Sequence, residues 1–491
     1  MSKRKISSTM TKKVNLPTRK TWEGANAYEH SLDNHLEFFS KAGSLFENRK
    51  SFYGAQSEST ALSLFQQMWA SGKPELAMKL LFWLRDCRGG AGNRSGFRSI
   101  IQWLASSNDS KWLDANLILV PKYGRWDDLR SLFGTELQTQ AAELWGSSVL
   151  ANDVLATKWA DRRDLPIFFY IRSKINISDI GEFRRLLSSV RKQHIVEHKM
   201  CSSQWNEIQY PHVPSVAMAR YTKAFGRHDE QRFTQYKEDL KSGKQEIKAE
   251  VLFPHDCVRT ARFGDEAIAD AQFDALPNYL GESNERIIVI ADTSGSMNVV
   301  LSGSIHNMDI SQGLALYCSS RIPKDSPFHK KFIGFESESQ FKDWEGMTFS
   351  EAIGDREIFD GACGSTRIDT ALDLILKTAK FFKIPQELMP TTLLIVSDMQ
   401  FHQGGSLSND TEVEACLKKF QASGYKPPKV VYWNLEGYQG QQATKDMKNV
   451  GMVSGFSPSI LKAIFGGTAF DPISIMLRAV EKYEIQTPYV N

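Results

Sequence analysis

Asp292, Ser294 and Ser296 stand at alternate positions in the run Asp292-Thr293-Ser294-Gly295-Ser296-Met297. All three carry hard oxygen atoms, the donor type that Mg2+ or Mn2+ prefers. Gly295 lets such a loop turn tightly enough to aim both hydroxyls at one point. Taken alone, the run is no more than a solvated turn. Two distant stretches add to it: Thr366 in Gly364-Ser365-Thr366, just ahead of a helical pattern, and Asp398 in Ser397-Asp398, just after an apolar run. Five oxygen-bearing side chains from three places can act on one ion only if the fold brings their loops to one edge.

The elements needed for that are legible in residues 284–491. Residues 286–291 form a short, continuous β-branched run, the form of a strand buried on both faces. Strand-like segments at 331–335, 392–396, 429–433 and about 450–453 alternate with helical patterns at 308–321, 368–382, 412–421, near 457–465 and at 472–483. This alternation predicts a mostly parallel, doubly wound Rossmann-like sheet covered on both faces. Ligands of such sheets sit beyond the carboxyl ends of the strands, where the strand order switches. All three loops fall at that edge.

Residues 24–262 read instead as helix after helix, with no convincing strand. Pro74 opens a segment that places Leu76, Leu80, Leu81 and Leu84 on one face. Asp179 and Glu182 form a capping-box-like start, followed by Ile180, Phe183, Leu186, Leu187 and Val190 at helical spacing. Further amphipathic pieces lie at 61–70, 96–105, 112–119, 126–133 and 140–159. Short turns such as Arg88-Gly89-Gly90-Ala91-Gly92 separate them. The pattern suggests a HEAT-like helical solenoid or array. Residues 1–23 read as a basic flexible arm and 263–283 as a connection between the halves.

Net charge is +3 over 491 residues, but it is unevenly placed. Residues 284–491 carry about 20 basic against about 24 acidic side chains, and residues 1–283 about 40 against about 33. A basic front half permits a polyanionic partner without requiring one. The six cysteines are far apart with no CxxC pair, which argues against a thiolate zinc site and a disulfide framework. No run approaches the roughly 20 apolar residues of a membrane span, and the N-terminus lacks a secretory core, so a cytoplasmic protein is expected.

Together Asp292, Ser294, Ser296, Thr366 and Asp398 resemble the metal-ion-dependent adhesion site (MIDAS) of a von Willebrand factor A domain. The resemblance implies direct ligation by Ser294, Ser296 and Thr366, with Asp292 and Asp398 acting mainly through bound water. One position is then open for a protein partner's carboxylate. The motifs 397–401, 430–435 and 453–457 are similar to those of a two-domain family with members in plants, bacteria and phages, which joins this domain to a helical TROVE-like module. Arg85-Asp86-Cys87-Arg88-Gly89-Gly90-Ala91-Gly92, Tyr123-Gly124-Arg125-Trp126-Asp127-Asp128-Leu129 and 213–218 resemble its helical motifs, as do 223–225 with His228-Asp229, and Pro254-His255-Asp256. The architecture is related to that of the Ro autoantigen proteins, whose helical ring binds small noncoding RNAs and the ends of misfolded ones.

The expected function is therefore a non-catalytic RNA-binding scaffold, a ribonucleoprotein component that takes small or single-stranded RNA on the helical domain and a protein through Mg2+ (or Mn2+) on the A domain. Arg184, Arg185, Arg191, Lys192, His194 and Lys199 are the candidate RNA contacts, chosen on charge alone. The alternative is a metal-dependent adaptor or assembly factor without RNA. His194 with His198, and His255 with Cys257, read as surface or packed residues rather than zinc ligands. The 88–92 turn lacks the GK[ST] of a P-loop, Trp126 reads as a core aromatic, and no nucleophile or paired-carboxylate context points to an enzyme.

Overall fold

The computed structural model describes residues 18–45, 60–281, 285–302, 305–335, 338–359, 366–404, 410–437 and 440–488. Most of the basic arm, Cys363, Gly364, Ser365, the last two residues of the connection (282–283) and residue 284 lie outside the described residues.

Six strands form the C-terminal sheet: β1 (Ile287–Asp292), β2 (Lys331–Phe335), β3 (Ser339–Asp343), β4 (Thr392–Ser397), β5 (Lys429–Asn434) and β6 (Val450–Ser454). Their spatial order is β6-β5-β4-β1-β2-β3, parallel except for the antiparallel β2–β3 pair. β1, β4 and β6 are buried at every position, as their unbroken apolar runs require when helices cover both faces. From β1 the chain moves outward to β2 and β3, then returns to place β4 on the other flank. The switch in strand order thus falls at β1 and β4. β3 escapes the sequence reading because Ser-Gln-Phe-Lys-Asp is a half-exposed edge with little apolar content.

The front half is helical, as expected, and successive helices pack against one another along the chain. Five stretches differ from the sequence expectation. The 112–119 piece divides between the helices Ser110–Ala115 and Leu119–Tyr123. The 140–159 segment divides into Gln138–Leu150 and Val154–Trp159 because Asn152 adopts φ +61° and Asp153 caps the second helix. Residues Trp126–Leu132 are 3-10 rather than α. The 263–283 connection contains a helix, Glu266–Asp274, capped by Asp265. Short strands Thr18–Lys20 and Asn26–Tyr28 pair in a stretch read as arm and helix.

The segment before Leu45 belongs with the C-terminal sheet. Thr21 Oγ1 donates to the Phe401 carbonyl (2.6 Å) and Ser44 Oγ to the Asn434 carbonyl (2.6 Å). The helix Asn34–Lys41 buries Leu36, Phe38 and Phe39, the last with its ring 4.5 Å from Trp83 of the helical half. One apolar core consequently runs through both halves, and a smaller second core gathers Trp205, Tyr210, Phe225, Phe233 and Tyr236. No described helix is long and apolar enough to cross a membrane.

Candidate functional site

At the carboxyl edge of β1 and β4 the three predicted loops meet. Asp292, the last residue of β1, accepts the Ser294 N–H on Oδ1 (3.0 Å) and the Ser397 hydroxyl on Oδ2 (2.6 Å). Ser294 Oγ lies 3.1 Å from Ser296 Oγ, and Thr366 Oγ1 donates to Ser294 Oγ at 3.0 Å. Asp398 follows β4 and accepts the Gln400 N–H at 3.0 Å. All five side chains are buried. Met399, at φ +64°, turns the chain sharply after Asp398.

Burial, and then the neighbouring charge of Asp398, push the Asp292 carboxyl well above the ordinary carboxylate range. Two like charges held together out of water are an arrangement that a cation relieves. Among the described residues no group of three or more His, Cys, Asp and Glu stands ready to hold a metal ion. The constellation offers two carboxylates and three hydroxyls, a donor set of hard oxygens only.

The site is braced from outside the sheet. The Thr366 N–H donates to His402 Nδ1 (2.9 Å), the His402 N–H returns a bond to the Thr366 carbonyl (2.9 Å), and His402 Nε2 lies 2.9 Å from Glu23 Oε2. Arg367, next to Thr366, spends its guanidinium as a fork on Asp369 (2.8 and 2.7 Å).

The basic side chains selected on charge do not behave alike. Arg184, Arg185 and Lys192 are exposed on the helix Ile180–His194, whose start is capped by Asp179 as the sequence suggested. Arg191 is half-buried and donates to the carbonyls of Thr157 (2.8 Å) and Ala160 at the end of the helix Val154–Trp159. Burial lowers its pKa, and its role there is to cap that helix. Lys199 donates to the Glu207 carbonyl (2.9 Å). Of the His194 side chain nothing is described. His255 and Cys257 are buried, and burial lowers the pKa of the His255 ring and raises that of the Cys257 thiol.

A denser cationic feature lies elsewhere. A cavity of about 970 Å3 opens between the 85–126 region, the helix Val154–Trp159 and the helix Ser215–His228, with Phe456 of the sheet domain in its wall. Arg85, Arg98 and Arg125 line it and are tied to Asp127 and Asp128: Arg85 Nε to Asp128 (2.7 Å), Arg98 to both (2.8 and 2.7 Å), Arg125 to Asp127 (3.1 Å). Lys158 in the wall pairs with Glu197 (3.3 Å). Arg88, Arg94 and Arg220 also line the cavity, and among the described residues none of the three has an ion pair.

The local folding explains this density. Asn93 caps the helix Arg94–Ala105 through the Gly96 N–H, and its amide donates to the carbonyls of Ala42 and Leu45. That anchor sets Arg94 and Arg98 one turn apart on one face. The Arg88–Gly92 turn is tight as expected: a Cβ on Gly90 would stand 2.1 Å from the Trp83 carbonyl oxygen, and Gly92 sits at φ +75°. Trp126 is half-buried in the cavity wall beside Trp145 rather than fully in the core. Trp159 lies under the Arg125 guanidinium at 4.1 Å. The sequence reading missed this cluster: Arg85, Arg88, Arg94 and Arg98 lie near one glycine-rich turn, but Arg125, Lys158 and Arg220 join them only in the fold.

Two family models match the chain. Residues 286–487 match one described as a domain of unknown function (DUF7788), and residues 180–289 match another described as a domain of unknown function (DUF2828). Among individual proteins, the chain is 27% identical over 490 residues to "Uncharacterized protein L728" of Acanthamoeba polyphaga mimivirus, covering 88% of this chain and 83% of the relative. Among solved structures, it is similar to the RO (RSR) protein of Deinococcus radiodurans at 14% identity and a TM-score of 0.37, covering 92% of this chain and 99% of that one.

Proposed function

We propose that the protein is a non-catalytic RNA-binding scaffold, with a TROVE-like helical half that holds single-stranded or small structured RNA and a von Willebrand A-type half that holds a protein partner. The observation that carries the RNA reading is the cavity itself. Seven basic side chains line it, three carboxylates answer them, and aromatic rings stand among them. Excess cations beside stacking surfaces are what a single strand needs: phosphates neutralised by arginine and bases laid on aromatic faces. Arg184, Arg185 and Lys192 are exposed on the helix Ile180–His194, which packs against the helix Val154–Trp159, and Arg191 holds the wall that carries Lys158 and Trp159.

The A-type reading rests on the meeting of Asp292, Ser294, Ser296, Thr366 and Asp398 at the switch point of the sheet. Ser294, Ser296 and Thr366 would hold Mg2+ or Mn2+ directly and the two aspartates through water. When bound, the ion supplies an electrophilic position for a partner's carboxylate. This chain's own contribution is to keep three hydroxyls and two carboxylates converged before any partner arrives.

The test is recovery of RNA with the tagged full chain, with and without nuclease, beside a variant carrying Arg88→Ala, Arg94→Ala and Arg220→Ala. Nuclease-sensitive RNA with the wild type and little with the variant supports the reading. A wild-type preparation free of RNA that still captures a protein in an EDTA-sensitive manner would favour a metal-dependent adaptor instead.

A further inference from the structure

We infer that Glu23, in the N-terminal segment, is a positioning residue of the candidate metal site: it fixes the tautomer of the His402 ring and, through that ring, the seat of Thr366. The inference rests on the metal reading above and adds to the site a part of the chain that lies far from the sheet in sequence.

How Thr366 is held is the first observation. Its hydroxyl donates to Ser294 Oγ at 3.0 Å, and both polar groups of its backbone are spent on one residue. The Thr366 N–H donates to His402 Nδ1 (2.9 Å), and the Thr366 carbonyl accepts the His402 N–H (2.9 Å). Arg367 stands at the cap position of the helix Ile368–Phe381 without a side-chain cap, and its guanidinium is turned to Asp369. Among the described residues, then, His402 sets where the Thr366 backbone stands, and with it the hydroxyl that faces Ser294.

The second is the direction of the bonds on that ring. A backbone N–H can only donate, so Nδ1 receives the Thr366 N–H without a proton of its own, and the ring proton stands on Nε2. Nε2 lies 2.9 Å from Glu23 Oε2, and an ionised carboxylate can only accept. One tautomer alone satisfies both ends. Without the Glu23 carboxylate the preference for Nε2–H is lost, and the competing tautomer points an N–H at the Thr366 N–H. A carboxylate that orients the far nitrogen of a histidine is the usual outer partner of a metal site; here the same device acts on the backbone of a ligand residue.

The third is how firmly Glu23 is placed. Residues 21–25 close a tight turn, with the Thr21 N–H on the Ala25 carbonyl (2.8 Å) and the Gly24 N–H on the Thr21 carbonyl (3.1 Å), and Gly24 at φ +87° permits it. The turn lies against residues 400–403. Thr21 Oγ1 donates to the Phe401 carbonyl (2.6 Å), the Trp22 N–H to Gln400 Oε1 (3.0 Å) and the Gln403 N–H to the Glu23 carbonyl (3.0 Å), while Gly24 and His402 form an antiparallel bridge. These bonds flank His402 on both sides. They also hold the stretch that follows Asp398, whose carboxylate accepts the Gln400 N–H.

The experiment titrates the full chain with Mn2+ alone and reads the free ion by electron paramagnetic resonance. Glu23→Ala is expected to weaken Mn2+ binding by about tenfold, the low end for loss of an outer partner of a metal site. Glu23→Gln, whose amide oxygen still accepts from Nε2–H, stays close to the wild type. His402→Asn keeps an acceptor for the Thr366 N–H and binds Mn2+ more tightly than His402→Ala. With the ring gone, Glu23→Ala added to His402→Asn has no further effect. A Glu23→Ala defect of the same size in the His402→Asn background marks a general structural role and overturns the inference. So does a Glu23→Ala protein that binds Mn2+ as tightly as the wild type, and both of these results leave the metal reading standing. A wild-type chain that takes up no Mn2+ overturns the metal reading and the inference together.

Discussion

At the sheet edge the Ser294 hydroxyl is shared by Ser296 and Thr366, while Asp292 accepts the Ser397 hydroxyl and Asp398 the Gln400 N–H. Asp398→Asn removes the like charge beside Asp292, so the metal-free protein is expected to melt at the same or a higher temperature. On the proposed metal reading, the same change is expected to shrink the stabilisation by Mn2+, which at a hundred times its dissociation constant would amount to about 2.7 kcal/mol for an intact site. Thermal melting of both proteins with Mn2+ and with EDTA reads the two effects separately. Ser294→Ala, which takes away the hydroxyl shared by Ser296 and Thr366, abolishes the Mn2+ shift while the EDTA curve stays close to the wild type. These residues were legible before the fold because their spacing follows strand ends. The cavity arginines were not, because Asp127 and Asp128 neutralise part of a cluster that is assembled only when three helical stretches converge.

At the scale of elements, Asp33 and Arg191 show how capping holds the site's surroundings. Asp33 accepts the N–H groups of His35 and Leu36, and the His35 side chain above all holds its carboxyl down to about 2. A carboxyl depressed in the folded state adds stability that is fully present above its unfolded value near 3.9 and disappears as pH falls from there through about 2. Asp33→Ala is expected to cost about 1 kcal/mol at neutral pH and to lose that part of the acid dependence, measured by denaturant unfolding between pH 5 and pH 2. Arg191→Ala leaves the carbonyls of Thr157 and Ala160 without their charged donor and should cost about 1.5–3 kcal/mol, whereas Arg184→Ala and Arg185→Ala stay within about 0.5 kcal/mol. Helix and strand order was legible from periodicity and unbroken apolar runs. The polar edge strand Ser339–Asp343 and the Asn152 break were not, since neither changes the hydrophobic pattern.

For the whole molecule, one core passes through both halves, and its fastenings lie far apart in sequence. Asp86 Oδ2 accepts Lys482 Nζ (2.6 Å) and the Tyr483 hydroxyl (2.9 Å), while its Oδ1 takes the N–H groups of Arg88 and Gly89. Burial, then the Asp86 charge, raises the Tyr483 pKa, so the hydroxyl remains a donor at every physiological pH. Asp86→Ala frees the turn that carries Arg88 and is expected to lower the melting temperature and RNA affinity together. Long-range fastening of this kind has no local signature, which is why residues 18–23 read as part of an arm and 24–45 as the start of the helical domain, although both hydrogen-bond to the C-terminal sheet domain. RNA binding itself is tested most directly by the salt dependence of decauridylate affinity, read by fluorescence anisotropy. With four uncompensated cations, log affinity should fall against log salt with a slope near about −3, and the Arg88→Ala, Arg94→Ala, Arg220→Ala protein should show a slope shallower by about 2. A folded wild-type chain whose affinity is negligible, or is indifferent to salt and to those three arginines, would contradict it.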